Sequence, residues 1–179
     1  MRTAKKYTSL LEKVEKVTKQ KDLDLSAGED LSVGIMNLIS IEEHLFFTSQ
    51  KTKNIKYLDL LNEVRLIRTE LLKEIIKDYE GEVWCISKHL LAASMRLMEV
   101  GTKELRKGNK KNAKSFFEKS YKLYSLFWGI NLDVVDVKDI GRGDTNVNLI
   151  DERGRKKKEV SVFDKLGDLI QKAVDCCKE

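Results

Sequence analysis

The chain has 179 residues, enough for one domain with its own core and too few for two of full size. Its 41% apolar and 35% charged residues suit a globular protein whose helices carry an apolar stripe and a charged outer face, which excludes wholesale disorder. A net charge of +5 is too mild for a dedicated nucleic-acid coat. No run approaches the ~20 apolar residues of a membrane span, so a cytoplasmic chain with no integral membrane association is expected.

Residues 1–25 form an N-terminal piece in which Tyr7, Leu10, Leu11, Val14 and Val17 recur at helical spacing between lysines. Those charges leave no apolar core for a cleaved secretion signal. Ser26, with Glu29 three residues on, forms a capping box. Val33, Met36, Leu38, Ile39, Ile41, Leu45 and Phe46 then predict a helix to about Ser49, apolar over more than one narrow stripe. Asn54 is the expected cap of a third helix, whose face of Tyr57, Leu60, Leu61, Val64, Ile67, Leu71, Ile75 and Tyr79 is the clearest long pattern in the chain. Gly81 is expected to stop it in the left-handed conformation.

A helix over 82–107 combines Trp84, Leu90, Leu91, Leu97, Met98 and Leu105 with the small run Ala92-Ala93-Ser94, which would let a neighbour approach closely. After Gly108-Asn109 the pattern resumes through Ala113, Phe116, Phe117, Ser120, Tyr121, Tyr124, Phe127 and Trp128. Proline is absent, so nothing forces a kink. Four helices joined by short turns predict an all-α, up-down four-helix bundle over residues 26–129. Beyond Gly129 the periodicity changes. Val147-Asn148-Leu149 and Val160-Ser161-Val162 alternate as in a small β-hairpin turning near Arg153-Gly154-Arg155, and Phe163, Leu166, Leu169, Ile170, Ala173 and Val174 return to helical spacing. Residues 130–179 thus read as a hairpin-plus-helix appendage of a single domain, 1–179.

The stretch Leu97, Val100, Gly101, Gly108, Ala113, Phe117 and Ser120 resembles one tetratricopeptide repeat over residues 94–127. The resemblance implies a helical hairpin in which Gly101 and Ala113 sit at the crossing, Gly108 allows the turn and Phe117 fills the groove. Glu104 stands where that family has an aromatic, and no second copy lies about 34 residues away, whereas a binding solenoid takes three or more repeats. The family's peptide groove is therefore not implied. The alternative is a close-packed hairpin in an unrelated bundle.

Two basic runs are candidate anion or nucleic-acid sites: Lys103, Arg106, Lys107, Lys110, Lys111 and Lys114 at the helical turn, and Arg153, Arg155, Lys156, Lys157 and Lys158 at the expected hairpin tip. Ammonium and guanidinium groups hold phosphate oxygens with salt-dependent, sequence-independent affinity. The other reading of each is a solvated surface. Residues 130–179 carry eleven acids against ten bases, so the second run lies in a near-neutral segment.

Cys85 and His89, four apart on one helix, are a candidate pair of metal ligands; the other reading is a buried cysteine beside a hydrogen-bonded histidine. No Cys-x-x-Cys pair and no Glu-x-x-His repeat of the di-iron bundles accompanies them. Three cysteines, two of them the adjacent Cys176 and Cys177, suit a reducing compartment. A thiolate pair of Cys85 with His89 or His44 lacks a nameable orienting acid. Gly141-Arg142-Gly143 lacks the context of a phosphate loop. No catalytic residue and no cofactor is assigned. The expected function is a non-catalytic protein-interaction module with a protein partner or self-association. Alternatives are a nucleic-acid-binding accessory using the basic runs, or a metal- or thiol-dependent enzyme.

Overall fold

The computed structural model describes residues 26–77, 81–135 and 162–173, together with 12, 13 and 16, and every regular element among them is helical. In chain order these are α1 (Ser26–Thr52), α2 (Lys56–Ile75), α3 (Glu82–Arg106), α4 (Lys110–Asn131) and α5 (Val162–Ala173). The expected β-hairpin lies outside the described residues except at Val162, which is helical and opens α5. Of the N-terminal helix, Glu12, Lys13 and Lys16 are described, and all three are helical and exposed.

The chain folds as two helical hairpins, α1 with α2 and α3 with α4, which meet through α1 against α3, while α5 lies on α4. Lys53, at φ 58°, takes the chain out of α1, and Asn54 Oδ1 accepts from the Lys56 N–H at 3.0 Å, capping α2 as its sequence position predicts. Gly81 has a φ of 84° but stands at the start of α3, and α2 ends earlier, at Ile75. The glycine admits the positive φ that turns the chain into α3 rather than stopping α2.

At the α3–α4 crossing the backbones approach across small residues. Ala113 is buried, and a Cβ on Gly101 would stand 2.7 Å from Phe117 Cε1. Gly108, at φ 81°, makes the turn. Of the Ala92-Ala93-Ser94 run only Ser94 is buried at the crossing, and Ala93 is exposed.

The core gathers where the hairpins and α5 converge. Ile35 and Met36 of α1, Leu72 of α2, Leu91 of α3, Phe127 and Trp128 of α4, and Leu166, Leu169 and Ile170 of α5 are all buried there. Full burial of Phe127 alone contributes on the order of 3 kcal/mol. Two glycines let helices close on this centre: a Cβ on Gly28 would meet Trp128 Cη2 at 2.9 Å, and one on Gly129 would meet Leu166 Cδ2 at 2.9 Å. Gly129 therefore lies inside α4 rather than ending it. Polar ties fix the same junctions. The Ser32 hydroxyl donates to the Glu29 carbonyl at 2.7 Å, so the Tyr124 hydroxyl, 2.7 Å from Ser32 Oγ, is the donor in that contact. Tyr121 donates to the Gly167 carbonyl at 2.9 Å and fastens α5 to α4.

Candidate functional site

The α1–α2 hairpin carries more apolar side chain than the core takes up. Sequence spacing gives α2 one long apolar face, but of that face Leu71 and Ile75 are only partly buried against the core, and the fully buried apolar residues are Leu72 and, just past the helix end, Ile76, which the face does not include. Leu60 stays 52% exposed and Ile67 50%. On α1, Ile41 is 44% exposed and Phe47 60%, and Phe46 and Phe47 meet edge to face at 5.2 Å. Exposed apolar side chains scattered singly are ordinary, whereas contiguous ones mark contact surfaces.

Contiguity follows from the register of the hairpin. Glu42 accepts from Arg65 Nε at 3.0 Å and from Arg68 Nε at 2.7 Å. These bonds place residue 42 of α1 level with the middle of α2, so antiparallel helices rising 1.5 Å per residue set Ile41 beside Ile67, Leu38 beside Leu71, and Leu45 between Leu60 and Val64. At 100° per residue Ile41, Leu60 and Ile67 share the side of the hairpin turned away from α3 and α4, while Leu71 reaches back to the core. Ser32, Ile35 and Met36, all buried, point the other way. Gly34 opens onto the same outer side, where an added Cβ would meet nothing within 4 Å.

The Glu42 cluster also ties α1 to α2. Arg68 and Glu42 side chains are 6% and 11% exposed. Burial works to raise the Glu42 carboxyl, but hydrogen bonds from Arg68 and Arg65 outweigh it and hold the group below the usual carboxylate range. The sequence carries a trace of this cluster: Glu42 stands three and four residues from Leu38, Ile39, Leu45 and Phe46, and Arg68 from Val64, Leu71 and Leu72, so each charge interrupts an apolar stripe.

The first basic run is brought together at the α3–α4 turn. Lys103, Arg106, Lys107, Lys110, Lys111 and Lys114 are all exposed there. Glu104, the departure from the repeat pattern, sits at their centre. It accepts from Lys107 Nζ at 2.9 Å and from Asn109 Nδ2 at 2.9 Å, with Asn112 Nδ2 at 3.5 Å, and the first two bonds lead in holding its carboxyl below the ordinary range. Lys114 faces Glu118 at 3.8 Å. Lys103, Arg106, Lys110 and Lys111 have no ion-pair partner among the described residues. The neighbouring aromatics are half-buried: Phe117 lies against Gly101, and Phe116 has Lys119 Nζ 5.8 Å from its ring centre. The second basic run, Arg153 to Lys158, lies outside the described residues.

Cys85 and His89 share one side of α3, as their spacing predicts, but both are exposed, which overturns the reading of a buried cysteine. Among the described residues no group of three His, Cys, Asp or Glu side chains is placed to hold a metal ion. No described helix is long and apolar enough to cross a membrane.

No protein-family model, curated protein or solved structure matches the chain. Function therefore rests on the chain's own residues.

Proposed function

We propose that the chain is a non-catalytic helical interaction module whose working surface is the outer side of the α1–α2 hairpin. The observation that carries this reading is the row of Ile41, Leu60 and Ile67, each 44–52% exposed, on a hairpin tied across by Glu42, Arg65 and Arg68. Leaving three large apolar side chains half in water forgoes on the order of 1 kcal/mol each of burial, which a bound partner recovers. The tie between the helices matters as well, because a surface already ordered loses less entropy when it binds. On this reading the four long helices act as an up-down bundle in the cytoplasm with residues 1–25 appended, while Ile130, Val134, Leu166, Leu169 and Ile170 belong to the core rather than to an appendage of 130–179.

The test is site-specific photo-crosslinking in the native host, with the reactive side chain at Ile67 and a control at Lys122, which is exposed on α4. Adducts to protein from position 67 and none from 122 are expected. Absence of any adduct at 67 above the control would overturn the reading.

A second reading, an accessory that binds nucleic acid, draws on the four cations at the α3–α4 turn without ion-pair partners among the described residues. It ranks below the first because the turn exposes no aromatic side chain on which a base could stack.

A further inference from the structure

We infer that the occupant of the outer hairpin face is a second copy of this chain, paired antiparallel through α2; this rests on the interaction reading above. Along that side of α2 the residues at alternating four- and three-residue steps are Lys56, Leu60, Glu63, Ile67, Glu70 and Glu74. Steps of this kind trace the straight seam along which two helices pack. The seam has apolar residues in its middle, a cation at the end near the hairpin turn and two carboxylates at the far end. Lys56, Glu70 and Glu74 are exposed, and none has an ion-pair partner among the described residues.

A two-fold contact is self-complementary: where one residue meets another, the second meets the first. Antiparallel pairing about an axis beside Glu63 and Val64 satisfies this condition twice. Leu60 meets Ile67 of the second copy and Ile67 meets its Leu60, while Lys56 at each end meets Glu70 and Glu74 of the other chain. Parallel pairing would instead set Lys56 on Lys56 and the glutamates on glutamates. An unrelated partner has no need of cation and carboxylates at matched distances from one centre. Ile41 and Leu45 of α1 extend the same contact, so two hairpins close into a four-helix arrangement. Glu63 falls at the axis beside its own copy, a like-charge contact that weakens the pair and makes a built-in control.

Sedimentation equilibrium of the full chain tests the pairing. The wild type is expected to dimerise below roughly 0.1 mM, and Ile41→Ser with Ile67→Ser to be monomeric with its helical circular dichroism retained, since both side chains are half-exposed. Lys56→Glu is expected to raise the dimer Kd by about tenfold or more, Lys56→Glu with Glu74→Lys to bring it back toward the wild type, and Glu63→Gln to tighten it. A wild type that stays monomeric at every concentration, or a dimer that ignores both the serine pair and the charge swap, overturns the inference. The wider reading is judged apart from it: a monomeric chain whose position 67 crosslinks to a different protein keeps the interaction module and loses the second copy.

Discussion

Ser94 of α3 and Ser120 of α4 each donate a hydrogen bond to the other's backbone carbonyl, at 2.9 and 2.7 Å. Both hydroxyl protons are thereby committed, so the 3.1 Å approach of the two oxygens carries no third bond. The contact is buried and reciprocal, and it ties α3 to α4 at their crossing.

Replacing either serine by alanine removes one of these bonds and leaves no orphan, because each carbonyl keeps its helical N–H partner. Ser94→Ala and Ser120→Ala should each lower stability by about 1 kcal/mol in urea denaturation. Ser94→Leu should cost on the order of 3 kcal/mol, since the crossing has no room for it. A leucine variant as stable as the alanine variant would show that the helices can separate.

The stripe that builds this crossing is written in the sequence, though not where composition draws the eye. Ser87, Ser94 and Gly101 recur every seven residues on α3, and Ala113, Ser120 and Phe127 do so on α4; all six are buried. The run Ala92-Ala93-Ser94 suggests closeness by being small, yet periodicity selects only one of its members. Helical spacing likewise makes the extent of α3 and α4 legible, and predicts α5 from Leu166, Leu169 and Ile170. It cannot say which part of an apolar face is covered. The face of α2 reads as core throughout, and Leu60 and Ile67 are half in water because α3 and α4 reach only one side of the hairpin. Glu104 is illegible for a different reason. Its role depends on Lys107, Asn109 and Asn112 folding back around it, which no periodicity encodes.

The end of α4 makes the same point. The apolar periodicity changes beyond Gly129, but the helix continues to Asn131 and closes at Asp133, whose φ is 55°. The Asp133 N–H donates to the Ile130 carbonyl at 3.1 Å and the Val134 N–H to the Gly129 carbonyl at 2.9 Å. These are the paired bonds of a Schellman cap, with aspartate where glycine is usual. Asp133→Gly should therefore raise stability by up to about 1 kcal/mol, the strain that a side chain incurs in the left-handed region. Thermal denaturation at neutral pH measures this, and a lower melting temperature would mean that the aspartate side chain holds the cap in another way.

Glu42 gives the fold an acid-sensitive joint. Its carboxyl titrates below the ordinary value of 4.5 because Arg68 and Arg65 outweigh its burial, so the folded state binds its proton less tightly than the unfolded state. The stabilisation is complete above the unfolded value and is lost as pH falls through the folded one. Glu42→Gln should flatten the acid limb of the stability curve below about pH 4.5. Glu42→Ala at neutral pH should cost roughly 3 kcal/mol, since it leaves the buried Arg68 guanidinium unpaired. Parallel acid limbs for the wild type and Glu42→Gln would place the titrating group elsewhere.

The basic turn can be tested by counting charges. Lys103, Arg106, Lys110 and Lys111 have no ion-pair partner among the described residues, so at most about four phosphates are neutralised there. Binding of a generic oligonucleotide by the turn should then weaken with salt at a logarithmic slope no steeper than about −3 to −4, because each neutralised phosphate releases condensed counterion. Reversing Arg106, Lys110 and Lys111 to glutamate should abolish that binding with the fold intact, since exposed substitutions seldom cost more than about 0.5 kcal/mol each. Glu104→Gln separates charge from shape. It frees Lys107 to act as a fifth cation while removing the carboxylate that gathers the turn, so a steeper slope than the wild type's marks a site that responds to charge, and a shallower one marks a site that needs the turn held as it is. A wild type with no affinity for oligonucleotides at low salt removes nucleic acid as a ligand of this corner, and binding of a polyglutamate peptide under the same conditions would assign the corner to an acidic protein segment.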